Sequence, residues 1–265
     1  MLPNKDFFRA YAKERNIPWQ DRNILLEYLQ TQILKVLSLS DYNDRLSFLG
    51  GTCLRFAYGI DRFSEDLDFD LVKKDGFDVD ALMSALVGRL ELQGFEVDAR
   101  TKTTENIHIV FIRFKNVLRE FGLSAPKDEK ILVKFEIDFD PYRNIRTETK
   151  FADSFNERFP MLVNTIDTLF AQKVLAIVFR PYQKGRDFYD LVWFLSQRDI
   201  EPNYEIFKEK GIDIKNRREL ISFLEERATT SDLEQAAKDV ERFLFHPEQS
   251  KWILKLPEYL KGFEK

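Results

Sequence analysis

The most distinctive chemical feature of this 265-residue chain is an acidic segment, 66–71, in which aspartate alternates strictly with an apolar residue. A period of two is typical of a β-strand, so Asp66, Asp68 and Asp70 would share one face and the apolar residues the other. Like charges on one face repel unless solvent or a cation compensates. The segment is therefore either a solvated edge strand or a metal-binding strand.

A glycine turn precedes this segment. Gly50-Gly51-Thr52 follows a predicted short strand, 46–49, and precedes a predicted brief helix, 53–58. Glycine lets the backbone approach a ligand closely, and amides at a helix start can bind phosphate. The Thr52 hydroxyl could bond a phosphate oxygen or cap the helix, and the glycine pair alone could be a plain turn. With 13 residues between this turn and Asp66, the turn and the aspartates together indicate a phosphate cradle facing a Mg²⁺-binding strand.

A third carboxylate is available on another predicted strand, 131–139. Lys134, Glu136 and Asp138 alternate with apolar residues and would share one face. If this strand lies beside the acidic one, Glu136 or Asp138 can complete a site for two Mg²⁺ ions. The alternative is an ordinary half-exposed strand.

The elements that would position these residues form an α/β region followed by a helical one. Helices are predicted over 21–39 and 78–92, and further strands over 94–100 and 107–114. After Pro141 we expect mostly helix, with clear helices over 166–180 and 188–197. Further helices are predicted over 203–210, 214–228, 231–244 and 249–261. This pattern predicts two domains, residues 1–155 and 156–265.

Composition excludes several classes of protein. The chain is 44% hydrophobic, which suits a packed core, and it has no run of 18 apolar residues that could span a membrane. Its start lacks the apolar run of a signal peptide, and Cys53 has no second cysteine to pair with, so we expect a cytoplasmic protein. Two histidines and one cysteine cannot form a Cys/His zinc site.

The net charge of −4 does not argue against a nucleic-acid partner. Residues 64–80 carry seven acids and two bases, or −5, so the remaining 248 residues sum to +1. The acidity therefore belongs to the stretch around the predicted metal strand, where bound Mg²⁺ would offset part of it.

Four segments together resemble the AbiEii/AbiGii toxin family of the DNA polymerase β-like nucleotidyltransferase superfamily. Residues 50–54 and 62–69 are similar to the family's first motif, which combines the glycine turn with the D-L-D-F core. Residues 134–137 resemble the second motif, 171–176 the third and 186–191 the fourth. The resemblance covers roughly residues 48–195, and it implies a nucleotidyltransferase-fold mixed sheet flanked by helices, followed by an α-helical region.

The resemblance also implies roles for individual residues. Asp66 and Asp68 would bind Mg²⁺ (or Mn²⁺), with Glu136 as third ligand and Asp138 as the alternative. Lys173 would neutralise phosphate charge, while Asp190, with Asp187 behind it, would assist the acceptor or orient the lysine. By the same resemblance Gly51, Thr52 and Ser64 would contact the triphosphate, and Gly50, Arg62 and Lys134 are additional candidates for binding the nucleotide. Arg180 is a secondary candidate, and the alternative for this later group of charges is local salt bridges.

The implied reaction is transfer of a nucleotide from an NTP to an RNA 3′ end with release of pyrophosphate. MenT-like relatives act on the acceptor end of tRNA, and the family implies a toxin–antitoxin or phage-defence pair with an antitoxin encoded nearby. Two alternatives stay open. The acceptor could be a protein hydroxyl or a small molecule such as an aminoglycoside, or the chain could be a non-catalytic nucleotide- or RNA-binding module.

Overall fold

The structure is a computed structural model that describes residues 2–104, 106–123, 126, 129–197 and 199–262. The chain divides into two compact units. The sheet unit comprises the described residues within 1–59, 63–141 and 147–163. The helical unit comprises those within 60–62, 142–146 and 164–265.

The sheet unit is built on a seven-stranded mixed sheet with the order β3-β4-β5-β2-β1-β7-β6. Strand β2 runs parallel to β5 and antiparallel to β1, while β1 runs parallel to β7. The strands are β1 (Leu46–Leu49), β2 (Asp66–Leu71), β3 (Val97–Thr103), β4 (Ile107–Phe114), β5 (Ile131–Asp138), β6 (Thr147–Ser154) and β7 (Glu157–Asn164). The five strands predicted from the sequence are confirmed, although β3 begins at Val97 instead of Gly94.

The expectation of mostly helix after Pro141 is wrong for β6 and β7. Most side chains of β6 are at least partly exposed, so its sequence lacks the alternation that indicates a strand. In β7, Pro160 argues against a strand because proline cannot donate a backbone hydrogen bond to a neighbouring strand. The pairing of β7 with β1 is at Val163 and Phe48, away from the proline. The two strands are joined by Phe155-Asn156, whose φ angles of 50° and 62° are those of a type I′ hairpin turn. The sheet thus continues past residue 155.

The helices of the sheet unit are α1 (Lys5–Glu14), α2 (Asp21–Ser38), α3 (Gly50–Tyr58), α4 (Val79–Leu92) and α5 (Val117–Glu120). The predicted helices over 21–39 and 78–92 are confirmed as α2 and α4. Helix α3 begins three residues earlier than expected, so the glycine turn is itself the first turn of a helix.

The helical unit contains α6 (Ile166–Phe179), α7 (Gly185–Ser196), α8 (Tyr204–Glu209), α9 (Arg217–Thr229) and α10 (Leu233–Glu241). A 3₁₀ turn (Pro247–Ser250) then leads to α11 (Lys251–Leu254) and α12 (Leu256–Gly262). Helices α6 to α10 each correspond to a predicted helix, with ends that differ by a few residues, whereas the single helix predicted over 249–261 is divided into the 3₁₀ turn, α11 and α12. Within the described residues, no helix combines the length and apolar character needed to cross a membrane.

A row of stacked phenylalanines fixes the core side of the central strands. Phe69 of β2 lies between Phe48 of β1 and Phe135 of β5, with ring centroids 5.1 and 4.5 Å apart respectively. All three rings are buried. Successive side chains of a strand point to opposite faces. With Phe69 fixed in this row, Asp66, Asp68 and Asp70 therefore lie on the other face of the sheet.

Candidate active site

The two aspartates of β2 that were predicted to bind metal lie on the face opposite the phenylalanine row. Asp66 and Asp68 are partly exposed, whereas the third acid of the segment, Asp70, is buried. The alternation predicted from the sequence therefore exists as a strand, but only the first two of its three acids are partly exposed to solvent.

Strand β5 places a lysine and a second acid beside these aspartates. In the parallel register, Asp66 is opposite Lys134, Asp68 is opposite Glu136, and Asp70 is opposite Asp138. The Lys134 ammonium lies 2.6 Å from the Glu136 carboxylate. Burial alone would lower the pKa of Lys134, but the hydrogen bond and charge of Glu136 and the charges of Asp66 and Asp68 raise it above 10.5. The lysine is thus a cation held among three carboxylates.

The glycine turn lies directly against one of these carboxylates. Gly50 has a φ of +77°, and a Cβ atom at this position would overlap the carboxylate of Asp68. Leu49, the residue before α3, is also the antiparallel partner of Asp68. The Asp68 carboxylate therefore packs at the N-terminus of α3, where helix amides and the helix dipole favour negative charge.

The hydroxyl of Thr52 is used inside the unit. It donates a hydrogen bond to the backbone carbonyl of Asp66, and its side chain is buried. This bond ties the first turn of α3 to the start of β2, a role that differs from the phosphate contact and the helix cap expected from the sequence. A phosphate contact by Thr52 or by the neighbouring Gly51 stays a prediction.

Helix α2 supports both the turn and the strand, and sequence reasoning missed this. The buried Gln30 amide donates to the backbone carbonyls of Ser64 and Glu65, at 3.1 and 2.9 Å, just before β2 begins. Glu27, which is also buried, forms a two-point ion pair with Arg55 of α3 at 3.1 and 3.2 Å. The available signal was a set of polar residues within the apolar pattern of α2: Glu27, Gln30, Thr31 and Gln32.

The chemistry of the donors suits a hard cation, but a three-residue metal site is not formed. Carboxylate oxygens are the ligands that Mg²⁺ prefers, and Asp66 and Asp68 present two such groups on one face. Among the described residues, no group of three or more His, Cys, Asp or Glu side chains is arranged to hold a metal ion. The potential third ligand, Glu136, contacts Lys134 instead.

A second cluster of charges lies in the helical unit. The ammonium of Lys173 on α6 contacts Asp187 and Asp190 of α7, at 2.8 and 2.9 Å. Asp190 also accepts two bonds from the Arg62 guanidinium, at 2.6 and 2.7 Å, and both of these side chains are fully buried. Arg180 pairs with Asp187. The cluster therefore holds three cations and two carboxylates, and both carboxylates are buried.

Competition between burial and charge sets the pKa values of Lys173 and Asp187. Burial would lower the pKa of Lys173, but Asp187 and Asp190 raise it above 10.5. Burial would raise the pKa of Asp187, but Lys173 and Arg180 lower it below 3.8. Both groups stay charged throughout the neutral range.

The start of α7, which carries both aspartates, is held by α10. A Cβ atom on Gly185 would overlap the backbone carbonyl of Ala236, so the two helices approach more closely here than any other residue would allow. The Gly185 amide donates to the Asp239 carboxylate at 2.8 Å. This contact satisfies one of the unpaired amides at a helix N-terminus.

The predicted site residues thus fall into two groups. The sheet unit brings together Asp66, Asp68, Lys134 and Glu136 with the glycine turn, and places Asp138 two register pairs further along, beside Asp70. The helical unit brings together Arg62, Lys173, Arg180, Asp187 and Asp190. Ser64 lies in the sheet unit on the segment held by Gln30.

A mixed sheet whose glycine turn packs against a D-x-D strand is the arrangement of a nucleotidyltransferase, and comparison with known proteins agrees. The chain belongs to the AbiEii family, since the family described as "Nucleotidyl transferase AbiEii toxin, Type IV TA system" matches residues 32–256. The protein is therefore a nucleotidyltransferase of a toxin–antitoxin family, which implies an antitoxin partner.

Solved structures show the same fold. MenT4, a nucleotidyltransferase toxin of Mycobacterium tuberculosis, aligns with a TM-score of 0.59 at 16% identity, covering 100% of this chain and 90% of MenT4. JHP933 of Helicobacter pylori aligns with a TM-score of 0.57 at 20% identity, covering 92% of this chain and 93% of JHP933. No curated protein sequence matches the chain significantly.

The close contact between Gly50 and Asp68 predicts that Gly50→Ala lowers nucleotidyltransferase activity about 100-fold. The added Cβ would displace the Asp68 carboxylate, and a shift of about 1 Å at a reacting site can reduce the rate about 100-fold. The matched control is Gly59→Ala, because Gly59 has a similar φ of +74° but nothing within 4 Å of a built Cβ. Both variants should lose about 1–2 kcal/mol of stability from the left-handed backbone. Equal activities of the two variants would contradict the proposed packing.

The buried charge cluster predicts a defined pH dependence. Asp187→Asn should lower the free energy of unfolding by about 3–5 kcal/mol at pH 7, because Lys173 and Arg180 lose a buried partner. The pKa of Asp187 is lowered from 3.8, so its stabilisation is present above that pH and is lost as the pH falls through the lower, folded-state pKa. Urea unfolding from pH 3 to 8 should therefore show a difference between wild type and variant that is constant above about pH 5 and shrinks in acid.

The control for this measurement is Asp213→Asn, whose partner Lys215 lies on the surface. This substitution should leave the free energy of unfolding unchanged at every pH. A difference for Asp187→Asn that persists undiminished at pH 3 would show that the carboxylate charge is not its source.

Proposed function

We propose that this chain is a Mg²⁺-dependent nucleotidyltransferase toxin that transfers a nucleotide from an NTP to an RNA 3′ end, with tRNA as the acceptor, and releases pyrophosphate. The observation that carries the proposal is the arrangement in the sheet unit. Two partly exposed aspartates of β2 lie beside Glu136 of β5, and one of them packs against the glycine turn that begins α3.

The proposed metal ligands are Asp66 and Asp68, with Glu136 as the third. Mg²⁺, when bound, would neutralise phosphate charge and activate the attacking hydroxyl. Glu136 is preferred to Asp138 for two reasons. Glu136 is the register partner of Asp68, whereas Asp138 is the partner of the buried Asp70. The Asp138 carboxylate also accepts a hydrogen bond from the Asp140 amide at 2.8 Å, which stabilises the turn after β5.

The remaining residues of the sheet unit would bind and orient the nucleotide. The first turn of α3, at Gly50 and Gly51, would offer backbone amides to phosphate oxygens, as helix N-termini commonly do. Lys134 would exchange its bond with Glu136 for a phosphate contact, which its raised pKa supports because the ammonium stays charged. Ser64 is proposed as a further contact to the triphosphate, and Thr52 would contribute through its backbone amide, because its hydroxyl bonds the Asp66 carbonyl.

The residues of the helical unit have proposed roles that the family resemblance supplies. Lys173 would neutralise phosphate charge, and Asp187 and Asp190 would fix its orientation, which their contacts of 2.8 and 2.9 Å support. Arg62 bonds Asp190 on both carboxylate oxygens. We therefore assign Arg62 a positioning role through Asp190, in addition to the phosphate contact predicted from the sequence.

The acceptor of the transferred nucleotide is proposed from the family. The family supports a toxin role, and the named toxin MenT4 shares the fold. An RNA acceptor is proposed from the resemblance. The reaction would then take place in the cytoplasm, and modification of tRNA would arrest translation as a means of phage defence. A protein hydroxyl and an aminoglycoside are the competing acceptors.

The purified chain should label tRNA when incubated with α-labelled NTPs and Mg²⁺, and should label neither protein nor aminoglycoside acceptors. Asp66→Asn and Asp68→Asn should each reduce labelling at least about 1,000-fold, since a metal supplies several kcal/mol of transition-state stabilisation. Both variants should fold normally, because removing a like charge relieves repulsion. Glu136→Gln should be as severe, and Asp138→Asn much milder.

The matched control is Asp75→Asn, an exposed acid four residues beyond the end of β2, whose backbone carbonyl accepts a bond from Arg45. Retained labelling of tRNA by Asp66→Asn would overturn the proposed site. Label on protein or aminoglycoside alone would keep the site and overturn the acceptor. Mg²⁺-dependent NTP binding without transfer to any acceptor would favour the non-catalytic reading.

A further inference from the structure

The helical unit carries an open depression at the C-terminal end of α6. Its volume is about 650 Å³, and it is lined by residues of α6, by the segment that follows α6, and by Tyr142 and Lys210. Two of its aromatic rings are unusually exposed: Phe179 at 56% and Tyr182 at 60%. Large exposed aromatic side chains on one patch of a folded protein commonly mark a binding surface.

Cations accompany these rings. The Lys210 ammonium lies 5.1 Å from the centre of the Tyr142 ring, and the Arg180 guanidinium lies 5.8 Å from that of Tyr182. None of the described residues that line the depression is acidic. The chain from 179 to 186 adds two more bases and no acid. The surface therefore favours an anion that also offers flat faces for stacking.

We propose that this depression binds single-stranded RNA, with unpaired bases stacked on Phe179 and Tyr182 and a phosphate held by Lys210. Aromatic rings interleaved with cations form the usual platform for single-stranded nucleic acid. A duplex keeps its base faces inside the stack, so it cannot use such rings. The proposal deepens the proposed function, because it locates a binding surface for the acceptor strand and rests on that strand being RNA.

The position of the surface within the helical unit suits this role. Gln172 lines the depression and is the neighbour of Lys173, while Arg180 lies seven residues along the same chain and pairs with Asp187. An RNA strand on these rings would therefore run beside the charge cluster of α6 and α7. Arg180 is already committed to that cluster, which leaves Lys210 as the main phosphate contact.

The test measures binding of a fluorescein-labelled octa-adenylate RNA to the full chain by fluorescence anisotropy. The assay contains neither NTP nor metal. Phe179→Ala and Tyr182→Ala should each weaken binding about ten-fold, the usual loss per stacked base, while Tyr182→Phe should retain it. Lys210→Gln should make the slope of the logarithm of the binding constant against the logarithm of salt concentration shallower by about 0.7, the value for one lost phosphate contact to a single strand. The same RNA annealed to its complement should bind more weakly than the single strand.

The matched control is Phe151→Ala. Phe151 is 58% exposed and has the Arg158 guanidinium 5.3 Å from its ring, but it lies in the sheet unit. Its removal should leave RNA binding unchanged. The proposal is overturned if wild type does not bind the octamer at low salt, if the duplex binds as well, or if Phe151→Ala has the same effect as Phe179→Ala.

A loss of ATP binding in Phe179→Ala with unchanged RNA binding would also overturn the proposal, because the depression would then be a nucleotide site. Since the assay contains no NTP and no metal, its result does not depend on whether transfer occurs. RNA binding through these rings without any labelling of RNA would retain this inference while the proposed function failed.

Discussion

Repulsion between the carboxylates of Asp66 and Asp68 is the constraint on which the candidate site depends. Two like charges on one face of a strand, with Glu136 beside them, would destabilise the sheet if nothing compensated. The structure supplies three compensations: the Lys134 ammonium, the N-terminus of α3 behind Asp68, and partial exposure to solvent. One lysine against three acids leaves an excess of negative charge, which a bound Mg²⁺ would remove. The same features that make the strand costly make it suited to a cation.

The fold holds these charges in place from the opposite side. The stacked rings of Phe48, Phe69 and Phe135 fix three adjacent strands, so the carboxylates cannot rotate into the core without breaking that row. Gln30 fixes the entry to β2, and Thr52 ties that entry to α3. Polar contacts of buried side chains thus determine the register that the apolar pattern alone leaves open.

The helical unit differs from the sheet unit in the burial and the sign of its charges. Its cluster is buried and paired, with Arg62, Lys173 and Arg180 against Asp187 and Asp190, so the excess is positive. A buried network of this kind contributes little net stability over apolar residues, but breaking one partner is costly. Its main effect is geometric, because each carboxylate is shared by two cations and has one favourable orientation. A positive excess held in a fixed geometry is consistent with the phosphate role proposed for Lys173.

Much of this arrangement could be predicted from the sequence, and the misses have physical reasons. The strict alternation at 66–71 and 131–138 predicted β2 and β5, and the motif order gave the correct family. Strands β6 and β7 were missed because an exposed strand has no apolar period and Pro160 argues against pairing. The roles of Thr52, Gln30 and Glu27 were also missed. Their partners are backbone carbonyls or side chains that only folding brings near, and periodicity carries no information on such contacts.

The sheet also shows why Glu136 could not be separated from Asp138 before the structure was known. Both acids share a face of β5, and a shift of two residues in register would exchange their neighbours without moving any apolar side chain out of the core. Only the observed pairing of Asp68 with Glu136 distinguishes them.

The central claim is that Asp66 and Asp68 form a metal-dependent nucleotide site. The most direct measurement is the thermal unfolding midpoint of the chain with each NTP, with and without Mg²⁺, for wild type and for Asp66→Asn/Asp68→Asn. A ligand at about 100 times its dissociation constant stabilises by about 2.7 kcal/mol. The account predicts a rise of several degrees in wild type that requires both NTP and Mg²⁺ and is absent from the double variant. An equal rise in the double variant, or one that does not need Mg²⁺, would contradict it.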